Sequence, residues 1–277
     1  MNTKPLKEEK MRLKDKICAI TGAGKGIGRK GAELFAKEGA FVYILELDEK
    51  GGQEAEEAIR KAGGKAKFLK TDVSSYESVG ESFRIIGEEN DGKMDVLYNN
   101  ASVYLNGRDG ILTEIAPEVW QKVLGINLNS IFNCCHHAIP MMQKNRRGAI
   151  INTASSAGVI GIPKCDAYTA TKGATVSLTR SLAVEYGKYG IRTNCIAPAA
   201  IATDMVKQSN PDGPDFDAFT FLHLRTPVRR WGTPEEVARL ALFLASEDSS
   251  YVNGAIITAD GGITICGDLA RAVEEKL

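Results

Sequence analysis

The sequence predicts an α/β protein: a doubly wound parallel sheet of about seven strands with helices on both faces. Three observations carry this expectation. Short apolar runs alternate with helical patterns through nearly the whole chain, as crossover helices between parallel strands require. The run "AFVYILEL" (40–47) is apolar without alternation, as a strand buried on both faces must be. A cluster of glycines, Gly22, Gly24, Gly26 and Gly28, falls directly between the first strand-like run and the first helical pattern. The 277 residues are 43% hydrophobic and 25% charged, ordinary globular values that support one substantial core. No repeat, low-complexity tract or linker divides them, so residues 1–277 are read as a single domain.

The elements follow in order. "KICAIT" (16–21) is the first strand. The helix within "GRKGAELFAKEG" (28–39) has Leu34, Phe35 and Glu38 at helical spacing and stops at Gly39. After the 40–47 strand, residues 49–64 form a helix that turns Ala55, Ala58, Ile59 and Ala62 inward and ends at Gly63-Gly64. "KAKFLKTDV" (65–73) is the third strand, a helix covers about 75–89, and "MDVLYNN" (94–100) is the fourth strand. From 117 to about 143 the pattern is one long helix, broken near its end by Pro140. "GAIINTAS" (148–155), a helix over 167–186 and "IRTNCIAP" (191–198) come next. Residues 203–231 are irregular and rich in proline and aromatics. Thr233 opens a helix with Pro234 in its first turn, running to about residue 246, and "AIITADGG" (255–262) is the seventh strand.

Bulk properties narrow the function. Lys plus Arg and Asp plus Glu are both 35, so no basic excess points to nucleic acid and no charge block points to an interaction tail. Cys18, Cys134, Cys135, Cys165, Cys195 and Cys266 show neither C-x-x-C nor zinc spacing. Four of them sit inside apolar runs and read as small core hydrophobes rather than disulfides or nucleophiles, and reduced thiols suit a reducing cytoplasm. The charged start "MNTKPLKEEKMRLKDK" lacks the apolar stretch of a secretory signal, and no run approaches the ~18 apolar residues of a membrane helix. His136, His137 and His223 form no H-E-x-x-H, so no metal is expected. Adjacent on a helix, His136 and His137 are not expected to face one site. No G-x-S-x-G elbow supports a serine hydrolase.

Glycines between a strand and a helix let backbone N–H groups approach a pyrophosphate at the helix N-terminus. The spacing is G-x-x-x-G-x-G on Gly22, Gly26 and Gly28, with Ile27 where a G-x-G-x-x-G pattern would end. A turn that only glycine tolerates is the simpler alternative, but the strand–turn–helix context favours a Rossmann-type dinucleotide site. Glu46 lies 18 residues after Gly28, at the end of the second strand, where an acid binds the adenosine ribose 2′-OH. A carboxylate repels a 2′-phosphate, so NAD(H) is preferred and NADP(H) is possible. Lys25, in the turn, could reach such a phosphate or be simply solvated. Asp48 is either a second ribose contact or the cap of the next helix.

"AYTATKGA" sets Tyr168 and Lys172 four residues apart, on one helix face. A phenol with a pKa near ~10 holds its proton at neutral pH, and a nearby ammonium favours the phenolate. Tyr168 could then exchange a proton with a substrate oxygen. Thirteen residues upstream, Ser155 ends the fifth strand at the carboxyl edge, with Ser156 as competitor.

In series these features make the chain resemble the short-chain dehydrogenase/reductase family over roughly residues 12 to 262. The motifs are T-G-x-x-x-G-I-G (21–28), Asp72-Val73, Asn99-Asn100-Ala101, Asn127 in "INLNS", Ser155, and Tyr168 with Lys172. The resemblance implies that Tyr168 is the general acid/base and that Ser155 orients and polarises the carbonyl. Lys172 would hold the nicotinamide ribose and lower the tyrosine pKa, and Asn127 would hold a relay water. Asp72 and Val73 would border the adenine, and Asn99 and Ala101 would line the cofactor. Ile201 and Thr203, after Pro198, would meet the carboxamide. Two positions depart from the family pattern: Ser102 and Ala199 stand where glycine is usual. The resemblance also implies a homotetramer, or a homodimer, with the Asn127 and Tyr168 helices at one interface.

Residues 203–231 are expected to form a substrate lid. Phe216, Phe219, Phe221, Leu222 and Leu224 make it apolar, and Tyr104 and Val159 could line the same pocket. Such a lid suits a bulky alicyclic or steroid alcohol or ketone, unless its apolar residues pack on the domain itself. The expected activity is NAD(H)-dependent interconversion of a secondary alcohol and a ketone, like that of a hydroxysteroid dehydrogenase. An NADPH-dependent 3-oxoacyl thioester reductase is the alternative within the class, and a non-catalytic dinucleotide sensor the alternative outside it. Residues 1–11 and 263–277 extend beyond the family core; "DLARAVEEKL" has helical spacing and would pack at a subunit contact or near the lid, or fray.

Overall fold

A computed structural model describes residues 11–205 and 225–267. Seven parallel strands run β1 (Ile17–Thr21), β2 (Phe41–Glu46), β3 (Lys65–Lys70), β4 (Val96–Asn99), β5 (Gly148–Thr153), β6 (Ile191–Pro198) and β7 (Ile256–Ala259). Their spatial order is β3-β2-β1-β4-β5-β6-β7, with Ile20 opposite both Ile44 and Tyr98, and Asn99 opposite Asn152. The chain moves outward from β1 to β3, then returns to place β4 on β1's other side. That reversal opens a crevice at the carboxyl ends of β1 and β4.

The unalternating apolar strands are explained by two cores. On one face, Cys18, Ile20, Val42 and Ile44 pack with Phe35, Ile59 and Val237, which come from helices α1 (Gly26–Lys37), α2 (Glu49–Lys61) and α7 (Pro234–Ala245). On the other, Ala19, Tyr43, Leu45 and Leu97 pack with Phe83 and Cys134, from α3 (Tyr76–Glu89) and α5 (Ser130–Asn145). α6 (Asp166–Tyr186) lies on this second face through Leu178 and Leu182. Five cysteines are buried, Cys266 is half-buried, and no disulfide joins any of them among the described residues. Among the described residues no helix is long and apolar enough to cross a membrane.

Three expectations are corrected. The long helix predicted over 117–143 is present and continuous, and it is not broken at Pro140. α4 (Pro117–Leu124) passes through a π-helical turn, Gly125–Asn129, into α5, which continues through Pro140 to Asn145. The widened turn is where Asn127 bonds across to the Val103 backbone. His136 and His137 do meet one side chain: both rings pack against Tyr76, at 5.4 and 4.8 Å between centroids. Tyr76 opens α3 and its ring lies against both imidazoles. Asp48 occupies the N-cap position of α2, but its side chain makes no capping bond.

The predicted start of α7 is met in full. Thr233 accepts the Glu236 N–H and the Glu236 carboxylate accepts the Thr233 N–H, a reciprocal capping box. Thr233→Ala should cost about 1 kcal/mol, read as a lower urea midpoint at unchanged slope. An unchanged midpoint would show that the cap contributes nothing to α7.

Candidate active site

The crevice is built from buried polar bonds at the strand ends. Thr21 Oγ1, closing β1, accepts the N–H groups of Asn100 and Ala101, both at 3.0 Å. The Asn100 amide donates to the carbonyls of Thr21 and Gly22, both at 3.2 Å. The segment after β4 is thereby clamped onto the glycine turn. Gly22 is held at φ +63°, and a Cβ there would lie 2.8 Å from the Ala101 Cα; a Cβ on Gly28 would lie 2.2 Å from the Gly22 carbonyl oxygen. These two glycines permit close backbone approach. Gly26 differs: at φ +57° it faces open space, with the Thr203 methyl 3.8 Å away. Ile27 packs onto the first core.

The first turn of α1 faces this space. Lys25, at its N-cap, is exposed and gives no side-chain cap, and no acid stands in the first turn. N–H groups unmet by side chains, in a positive helix end with a glycine-open approach, fit a phosphate. Glu46 lies beside them. Its carboxylate accepts the N–H groups of Gly24 at 3.0 Å, Leu47 at 2.9 Å and Asp48 at 3.0 Å. Three of roughly four lone-pair sites are used, which fixes the carboxylate at the lip of the turn and leaves capacity for a hydroxyl.

The other cofactor candidates are less direct. Asp72 accepts the Ser74 N–H and hydroxyl, and the Val73 carbonyl accepts the Asn133 amide. The Asn99 side-chain N–H donates to Asn152 at 2.9 Å, and its buried Oδ1 has no partner among the described residues. Pro198 ends β6. Beyond it Ala200 adopts a left-handed φ of +52°, Ile201 is buried and bridges to Gly232, and Thr203 returns over Gly26. The aromatic and apolar lid residues 216–224 lie outside the described residues.

Tyr168 sits in the first turn of α6. Asp109, buried, accepts the N–H groups of Ala167 at 3.1 Å and Tyr168 at 2.8 Å, and Asp166 and Gly110 tie the same loop to the helix start. Sequence reasoning missed Asp109, because nothing local marks an acid 59 residues away as the cap of this helix. Ser155 accepts the Ala157 N–H at 3.3 Å just beyond β5, whereas Ser156 is buried and starts the turn Ser156–Gly158. Tyr104 meets the Tyr168 ring edge-on at 5.4 Å.

Lys172 is 1% exposed and donates to the Thr153 carbonyl at 2.9 Å, with Nζ 5.4 Å from the Tyr168 ring centroid. An ammonium has three donors, and among the described residues this one has a single acceptor. A buried, under-satisfied donor aimed at the crevice fits a ligand rich in hydroxyls. Asn127, equally buried, spends its amide on Val103 and Thr171, so any relay water would have to be held by its main chain.

The electrostatics correct one expectation. Burial pushes the Tyr168 phenol up to about 12, against a lowering contribution from Ser155 and Ser102. Burial also pushes Lys172 down to about 8. The amine therefore loses its charge before the phenol ionises, and in the ligand-free chain it does not lower the tyrosine. Desolvation outweighs the attraction that the four-residue spacing suggested. Among the described residues, no group of three or more His, Cys, Asp or Glu side chains is placed to hold a metal.

Comparison with known proteins agrees with this geometry. A family profile described as enoyl-(acyl carrier protein) reductase matches residues 22–264. The chain is 36% identical over 269 residues to the 3beta-hydroxysteroid dehydrogenase of Mediterraneibacter gnavus, covering 91% of this chain and 96% of that protein. The crystal structure of levodione reductase superposes with a TM-score of 0.87 at 34% identity, covering 92% of this chain and all of that one. A 3-oxoacyl-[acyl-carrier protein] reductase from Brucella melitensis with bound NAD gives 0.81 at 33% identity, covering 96% and 98%.

Two outcomes follow. Asp109→Ala strands two N–H groups and should cost about 1–2 kcal/mol in urea unfolding, with loss of turnover as Tyr168 loosens; wild-type values in both assays would remove Asp109 from the site. Unfolded Lys172 keeps its proton to about 10.4, whereas folded Lys172 releases it at about 8. Between these values the unfolded chain binds the extra proton, so this contribution to stability rises with pH. Lys172→Met should lack that rise between about pH 8 and about pH 10; parallel wild-type and variant curves would contradict it.

Proposed function

The chain belongs to the short-chain dehydrogenase/reductase family, and on that premise we propose that it interconverts a secondary alcohol and a ketone with NAD(H), on a bulky apolar, alicyclic or steroid-like substrate. Oxidoreductase chemistry on CH–OH groups comes with the family; cofactor preference and substrate are our reading. The observation that carries it is the half-buried Tyr168 beside the buried Lys172, 5.4 Å from ring centroid to Nζ, one crevice away from an uncapped helix end and a tethered carboxylate.

The dinucleotide, when bound, supplies or accepts the hydride. The chain's residues do the rest. Gly22, Gly26 and Gly28 let the phosphates reach the α1 N–H groups, and Glu46 accepts from the adenosine ribose. Lys172 offers its unmet N–H bonds to the nicotinamide ribose. Ser155 donates to the substrate carbonyl, and Tyr168 delivers its proton to that oxygen as the carbonyl is reduced. A phenol held protonated by burial is a proton donor at neutral pH, so the resting site is poised for reduction.

Glu46 supports NAD(H), since a carboxylate at this lip repels a 2′-phosphate. Exposed apolar side chains support an apolar substrate: Ile111 and Leu112 on the loop tied to the start of α6, and Val159 just after the Ser155 turn. The names of the hydroxysteroid and levodione enzymes agree with this, and that of the 3-oxoacyl reductase keeps the thioester alternative in view.

The test is turnover of levodione, a 3-oxosteroid and an acetoacetyl thioester with NADH and NADPH, followed by nicotinamide absorbance. Expected are NADH preferred by at least about tenfold, Glu46→Ser narrowing that gap, and Tyr168→Phe losing on the order of 100-fold or more. Activity confined to the thioester with NADPH would install the alternative. Tight NADH binding without turnover of any ketone would make the protein a sensor, and full activity in Tyr168→Phe would remove the mechanism.

A further inference from the structure

Gly24 lies in the turn between β1 and α1, but it does not meet the needs that its neighbouring glycines meet. Gly22 and Gly26 have left-handed backbone, at φ +63° and +57°, and a side chain on Gly28 would strike the Gly22 carbonyl. Gly24 is buried and its φ lies outside the left-handed region, so backbone conformation is not what calls for glycine there. Glu46 occupies the space instead. A Cβ on Gly24 would lie 2.9 Å from Glu46 Cγ, 3.0 Å from Oε2 and 3.1 Å from Cδ, the three nearest heavy atoms outside its own stretch of chain. The Gly24 N–H donates to that same Oε2 at 3.0 Å. The other oxygen, Oε1, accepts the Leu47 and Asp48 N–H groups. A carboxylate oxygen has about two lone pairs, so Oε1 is filled and the free one is on Oε2, the oxygen that Gly24 holds.

We propose that Gly24 is a positioning residue for the choice of dinucleotide. Its missing side chain lets the Glu46 carboxylate lie on the phosphate turn, where it accepts an adenosine ribose hydroxyl and turns a 2′-phosphate away. This rests on the NAD(H) preference proposed above. A methyl group at position 24 leaves contacts that cannot stand, so one side must move. The turn is pinned: the Gly22 N–H donates to the Leu45 carbonyl at 2.8 Å, and the Gly22 carbonyl accepts the Asn100 amide at 3.2 Å. Glu46 has rotatable side-chain bonds, so the carboxylate is the part that yields. Its bond to the Gly24 N–H is then lost, Oε2 leaves the turn, and the ribose hydroxyl loses its acceptor. The barrier to a 2′-phosphate leaves with it.

The test is calorimetric titration of NADH and NADPH, without alcohol or ketone, into wild type, Gly24→Ala, Glu46→Ala and the double variant. Gly24→Ala should narrow the ratio of the two Kd values by about tenfold, the worth of one hydrogen bond to a charged acceptor. Alanine at 46 lacks all three clashing atoms, so adding Gly24→Ala to Glu46→Ala should change that ratio by less than about twofold. Urea unfolding reads the same contact with no cofactor present: Gly24→Ala should lower the wild-type midpoint and leave that of Glu46→Ala unchanged. Equal weakening of both cofactors by Gly24→Ala, an unchanged ratio, or additive effects in the double variant would overturn the role of Gly24 and leave the NAD(H) reading standing. Should Gly24→Ala not fold, a double variant that folds and binds like Glu46→Ala upholds the proposal, and one that also fails to fold overturns it. A wild type that binds NADPH as tightly as NADH would overturn the NAD(H) reading and Gly24's role with it.

Discussion

A fully buried amine beside a half-buried phenol is the constraint on which the site depends. Lys172 has one acceptor where an ammonium needs three, and a desolvated charge so poorly met sheds its proton easily. Tyr168 responds to the same desolvation in the opposite direction and keeps its proton. In the ligand-free chain the pair therefore rests as a neutral phenol beside an amine that charges only below about 8. A hydroxyl-rich ligand would supply the missing acceptors, and its binding would then be coupled to charging of Lys172. The pair matters less as a permanent ion and more as a site completed by what it binds.

The scaffold holds this arrangement through three polar side chains that bond to backbone groups. Asn100 ties the end of β4 to the glycine turn, Asn127 ties the next loop to a π-helical turn, and Asp109 ties the loop beyond to the start of α6. Leaving any one of these buried partners unmet costs about 1–3 kcal/mol. The loop from 100 to 112 thus stays in place at the carboxyl edge, although it contains no helix or strand. Glu46 works the same way at the opposite lip, held by three backbone N–H groups before any ligand arrives.

Much of this was legible in the sequence. Strands buried on both faces declare themselves by unbroken apolar runs, so β1 to β7 were found in order. Glycine spacing, Glu46 and the Tyr168–Lys172 interval are local patterns tied to local geometry. What escaped was set by distance or by medium. Asp109 caps a helix far along the chain, and no local signal joins the two. The π-helical turn within the 117–143 helix lies where Asn127 meets its partner across the crevice, whereas Pro140, the visible breaker, is tolerated inside α5. His136 and His137 converge because Tyr76 comes to them from another helix. The shift in Tyr168 had its sign reversed, because residue spacing shows which charges are near but not how much water has been excluded. Gly24 was visible only as one glycine of a run; what its missing side chain makes room for required the fold.

The most direct measurement is a crystal structure of the protein with NAD. The account predicts the nicotinamide ribose hydroxyls on Lys172 Nζ, beside the Thr153 carbonyl, with the pyridine ring next to the Tyr168 phenol. A bound dinucleotide that leaves Lys172 with Thr153 alone, or that places its ring away from Tyr168, would contradict it.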